Sequence, residues 1–102
     1  MKLVKTYRML SLRDSEKSIN KVLKDMNLSI EKKELKENFV EISAGNKDVM
    51  MKIKIFEKKE NFHRFGIDFI PVIRLEVDFE GPEESFKILE KLVKLYFLRG
   101  GG

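Results

Sequence analysis

Cysteine, tryptophan and glutamine are absent from this 102-residue chain, and histidine occurs once. Without cysteine, disulfides and thiol chemistry are excluded. One imidazole cannot build a His-only or His/Cys metal centre within a single chain. Proline occurs twice, and three of the six glycines are the last three residues. That leaves no glycine-rich phosphate loop. The longest apolar run, Phe69-Ile70-Pro71-Val72-Ile73, is far short of the ~20 residues of a membrane span. The opening residues Met1-Lys2-Leu3-Val4-Lys5 contain no apolar signal region. The expectation is a cytoplasmic chain that does not engage a membrane.

What is present suits one folded domain over residues 1–102. Apolar residues make up 42% and charged residues 37%, and the apolar ones run the whole length, which argues against disorder. Basic residues number 21 and acidic 17, a net charge of +4. Such a balance permits contact with a polyanion without requiring it. The richness in Lys, Glu and Ile fits a thermophile, where surface ion pairs are desolvated at lower cost.

Alternation predicts a first strand over Lys2–Leu10. Ser11 or Asp14 then caps a helix in which Ile19, Val22, Leu23 and Met26 recur at helical spacing, with Asn27 as C-cap. Leu28–Lys36 reads as a weak, charged edge strand. Phe39–Ala44 is a short strand in which Phe39 and Val40 offer opposite registers. Val49–Lys58 follows with Met51, Ile53 and Ile55 on one face. Lys59-Glu60-Asn61 is read as a turn. Phe62–Glu80 is read as the last strand, marked at Pro71 by a bulge, bend or edge position, with Ile67, Phe69, Ile73, Leu75 and Val77 as core. Gly81-Pro82-Glu83-Glu84 opens a second helix, because Pro suits its start and the carboxylates complement its dipole. That helix is expected to reach Leu98, with core residues Phe86, Leu89, Val93 and Phe97. Residues 99–102 are then a flexible tail.

The resulting order, β-α-β-β-β-β-α, implies an α+β two-layer sandwich: an antiparallel meander with both helices on one face. In element order alone it resembles the TATA-binding-protein-like class and, with additions, Bet v 1-like domains. A ferredoxin-like arrangement with fewer strands is the rival. The tail Leu98-Arg99-Gly100-Gly101-Gly102 resembles the ends of ubiquitin-like modifiers. Here, however, it follows a helix and reads as a helix stop.

No catalytic, cofactor-binding or metal-binding set emerges. His63, beside Phe62 and Arg64, has no evident partner for acid–base work. The chain is therefore expected not to be an enzyme. Two surfaces invite a binding role. On a wheel of ~100° per residue, the apolar positions of the second helix sweep roughly 200°, about twice a core-facing stripe. Ile88, Leu92, Leu95 and Tyr96 fall in the surplus and are candidates for contact with a second copy, another protein or an apolar small ligand. The second surface is a basic ribbon, 47–65. Lys52, Lys54, Phe56 and Lys58 share a strand face, followed by Lys59, Arg64 and Phe65. Cations between aromatics suit single-stranded nucleic acid. Alternatively, Glu41, Glu76 and Asp78 pair with these lysines across the sheet.

Overall fold

The structure, a computed structural model, describes the backbone of every residue except Phe65, Gly66 and Gly102. It describes all side chains but those of 62–68 and 98–102. The elements are β1 (Lys2–Arg8), α1 (Leu12–Asp25), β2 (Ser29–Leu35), β3 (Phe39–Gly45), β4 (Met50–Arg64), β5 (Ile67–Glu80) and α2 (Glu83–Gly101). The five strands form one antiparallel sheet of order β1-β5-β4-β3-β2. The α+β fold and the β-α-β-β-β-β-α order are those the periodicity predicts.

One face of the sheet carries the core. Leu3 of β1, Ile73, Leu75, Val77 and Phe79 of β5, Met51, Ile53 and Ile55 of β4, and Val40, Ile42 and Ala44 of β3 are buried on it. The period of two leaves this choice of face little freedom, since a slip of one residue would turn every side chain over. It also settles the ambiguity in β3: Val40 points inward, and Phe39 meets Phe56 on the outer face with the rings tilted and their centroids 4.8 Å apart.

The helices cover the apolar face side by side. Ser11 caps α1 by accepting from the Asp14 amide, 3.1 Å, and Asn27 leaves the helix in the left-handed region, φ 56, as residues just past a helix end commonly do. Ile19, Val22 and Leu23 of α1 and Leu89, Val93 and Phe97 of α2 are fully enclosed. Each such side chain contributes about 1.5–3 kcal/mol on leaving water. Met26 and Phe86, expected in the core, lie partly buried at its margin. α2 packs on α1 and β1, while α1 lies over β4 and β2. α2 runs past Leu98, its expected end.

The expected turn at Lys59-Glu60-Asn61 is not there. β4 continues through these residues, pairing Lys59 with Pro71, Glu60 with Ile70 and Asn61 with Phe69, and reaches Arg64 opposite Ile67. Phe62–Arg64 thus belongs to β4 rather than β5. Polar residues resemble a turn in composition, but a strand flanked on one side only accepts them on its solvated faces. Pro71 does not divide β5. The odd residues of β5 direct their backbone toward β1, as the Met1–Phe79 exchange and the Met9 amide bond to the Pro71 carbonyl show. The missing proline N–H therefore faces the place where β1 departs, and the ladder to β4 loses nothing.

Beyond Phe56 and Pro71, no strand among the described residues pairs with the outer edges of β4 and β5, and the two form a two-stranded arm that Arg8 reaches through Glu60, 3.3 Å. Phe69, predicted as core, is 55% exposed on it. Its alternation is right, but neither helix covers the sheet there. Phe65 and the side chain of Ile67 fall outside the described residues.

Candidate functional site

α2 has more apolar surface than its own subunit covers. Leu89, Val93 and Phe97 face the sheet; Phe97 stacks on Tyr7 at 4.9 Å, and Phe86 meets Phe79 edge-on at 5.4 Å. Tyr96 turns toward α1. Its hydroxyl donates to Asp25, its backbone carbonyl accepts from Ser18 Oγ at 3.1 Å, and Lys21 Nζ lies 5.8 Å from its ring centroid. The bond to Asp25, with burial and the aspartate charge adding to it, raises the phenol above its ordinary pKa of 10.0. Tyr96 is thus occupied within the subunit. Leu92 is partly buried against the core. Ile88 and Leu95, by contrast, are 50% and 61% exposed. The helical phase puts them on the side away from the sheet, with Leu92 between them as one ridge and Glu84 and Lys91 beside it.

The basic ribbon is divided among different surroundings. Lys52, Lys54, Phe56 and Lys58 do share the outer face, whereas Lys59 points to the opposite side and Arg64 lies far out on the arm. Register brings carboxylates among the lysines. Lys54 stands in a row with Glu76 and Glu41, and Lys52 stands beside Asp78. Lys52 pairs with Glu41 at 3.5 Å. Glu76 holds Lys2 at 3.5 Å and Arg74 at 3.3 Å. Lys54 lies over the Phe39 ring, 5.8 Å from its centroid. At the β2 end, hydrogen bonds from Lys32 and then Lys36 push the Glu34 carboxyl down to about 2. Much of the face is therefore a mixed lattice of ions. A depression of about 330 Å³ on it is lined by Ser43, Met50, Met51, Lys52, Asp78 and Glu80.

Both edges of the sheet are blunted. β2 presents Glu31, Lys32, Lys33 and Glu34 and shifts register between Ile30 and Lys32. β1 places Lys5 in its core-facing row, opposite Leu75 and between Leu3 and Tyr7, and Lys5 is exposed. An inward-facing charge on an edge strand discourages another strand from adding. Alternation along β1 showed the charged position. Its meaning depended on β1 being an edge beside β5, a long-range pairing that local pattern does not reveal.

Among the described residues there is no group of three or more His, Asp or Glu able to hold a metal, and no helix long and apolar enough to cross a membrane. His63 lies outside the described side chains. No protein-family model, curated protein or solved structure matches the chain.

Proposed function

We propose that this chain is a non-enzymatic protein-interaction module that works as a homodimer through the outer ridge of α2. The observation that carries the reading is the exposure of Ile88 and Leu95 on a helix whose sheet-facing requirement is already met by Leu89, Val93 and Phe97. Exposed apolar side chains standing singly are ordinary, but a ridge of them along one helix marks a contact surface. Two further features support it. The sheet edges are guarded against strand addition, which favours self-association through a face over pairing of edges. The lysines of the outer face are interleaved with carboxylates, which weakens the case for nucleic acid.

Light scattering over a concentration series tests the reading. The expected mass rises from monomer to dimer. Leu95→Glu, which puts a charge on the ridge, returns it to monomer. A monomer throughout the series removes the proposal. A dimer that Leu95→Glu leaves intact removes the ridge from it.

A further inference from the structure

We infer that the outward face of α1 binds the phosphate backbone of duplex DNA through Arg13, Lys17, Lys21 and Lys24. The site is separate from the apolar ridge of α2 and stands independently of the homodimer reading.

The buried residues of α1 are Ser15, Ile19, Val22 and Leu23. Steps of four, four and three residues place Arg13, Lys17, Lys21 and Lys24 in one row on the opposite side. All four are exposed, and none takes part in an ion pair among the described residues. On the outer face of the sheet, by contrast, Lys2, Lys52 and Arg74 are each held by a carboxylate. The acids of α1 border the row rather than interrupt it. Glu16 is drawn to Lys33 on the β2 side at 3.4 Å, and Asp25 accepts from Tyr96 on the α2 side. Asp14 lies in the first turn, where it suits the helix dipole, at the edge of the row. Ser18 and Lys21 meet Tyr96. That sets the row alongside residues 91–97 of α2, which carry Lys91 and Lys94 and no acid.

The row works against the helix that carries it. Like charges four residues apart destabilise a helix, and Arg13–Lys17 and Lys17–Lys21 are such pairs. Lys24 suits the negative end of the dipole, but Arg13 is the second residue of α1 and stands at the positive end. Local rules broken without gain to the fold are expected at functional surfaces. The charge also fits one class of partner. The row extends about 16 Å, eleven residues at 1.5 Å each. Each strand of duplex DNA offers a phosphate every ~3.4 Å, so about five lie within the span of the four cations. Asn20, exposed beside the row, adds a neutral donor of the kind that contacts phosphates. An acidic protein segment or an anionic bilayer would draw on apolar contacts as well, and the row has none. A rigid line of phosphates requires charge alone. Recognition through the backbone is independent of base sequence.

Fluorescence anisotropy with a labelled DNA duplex tests the assignment. At about 50 mM NaCl a dissociation constant of roughly 1–100 μM is expected. At about 200 mM the affinity is expected to fall about a hundredfold, since four neutralised phosphates give a log–log salt slope of about −3.6. Lys17→Gln/Lys21→Gln is expected to weaken binding at least tenfold at the lower salt and to make the slope shallower by about 1.8. Lys52→Gln/Lys54→Gln, on the outer face of the sheet, is expected to change affinity less than twofold. The α1 variant is also expected to melt at or above the wild-type temperature, because like-charge pairs are removed. A lower melting temperature would assign the row to the fold and overturn the proposal. So would the absence of binding at about 50 mM NaCl, or binding that the sheet variant abolishes and the α1 variant leaves unmoved. Phosphatidylserine vesicles or polyglutamate that outcompete the duplex would overturn DNA as the occupant, in favour of a membrane or an acidic protein.

Discussion

The two helices lie side by side on the same sheet, yet they spend their apolar residues differently. α1 carries only what the sheet takes up. Ile19, Val22 and Leu23 are buried, Leu12 and Met26 sit at the margin, and Arg13, Lys17, Asn20, Lys21 and Lys24 face water. α2 buries a similar set and then carries Ile88 and Leu95 on the far side. A charged outer face is therefore compatible with this fold, as α1 shows, and the surplus on α2 calls for an explanation beyond folding.

The sharpest test of the comparison sets buried against exposed positions in α2. Phe97→Ala opens a cavity and is expected to cost about 3–5 kcal/mol, a large share of the roughly 5–15 kcal/mol of a domain this size, with Ile19→Ala in α1 close behind at about 2–5 kcal/mol. Urea unfolding at low protein concentration measures both. Ser11→Ala breaks the α1 cap and is expected to cost about 1 kcal/mol in the same assay. Leu95→Ser, two residues from buried Val93, is expected to change monomer stability by no more than about 0.5 kcal/mol. A loss comparable to that of Phe97→Ala would mean that the ridge serves its own subunit.

The smallest effect concerns the latch between the helices. The Tyr96 phenol, raised by its bond to Asp25, favours the folded state while it remains protonated. That contribution is whole below the ordinary tyrosine value of 10.0 and is lost as pH rises through the raised one. Absorbance titration is expected to show both tyrosines ionising late, Tyr7 because burial raises it, and Asp25→Asn to bring only Tyr96 back toward 10. An unchanged titration would detach Tyr96 from α1 and enlarge the open face of α2.

Periodicity carried much of the fold because each period reports a local geometry. The two-residue alternation of Met51, Ile53 and Ile55 and of Ile73, Leu75 and Val77 names a buried face, and the spacing of Ile19, Val22 and Leu23 names a helix stripe. The excess arc of α2 was legible in the same way. What period cannot report is whether anything lies over a face, and Phe69 is exposed for that reason. Nor does it report which distant strand lies alongside, so the Lys52–Glu41 pairing was legible only as one of several options and the position of β1 beside β5 not at all. At Lys59-Glu60-Asn61, composition suggested a turn where pairing with Phe69–Pro71 continues a strand.

That continued pairing has a dynamic consequence. Residues 59–61 and 69–70 pair in one ladder beyond the last backbone bond to the β1 side, that of Met9 to Pro71, with Arg8–Glu60 as a side-chain tie, unlike Ile53 or Leu75, which have strands on both sides and helices above. A two-stranded ribbon is marginally stable by itself, so the arm, although Ile70 in it is buried, is expected to open more readily than the rest of the domain. Amides of 59–61 and 69–70 are expected to exchange with deuterated solvent sooner than those at the middle of β4, which wait for the whole molecule to unfold.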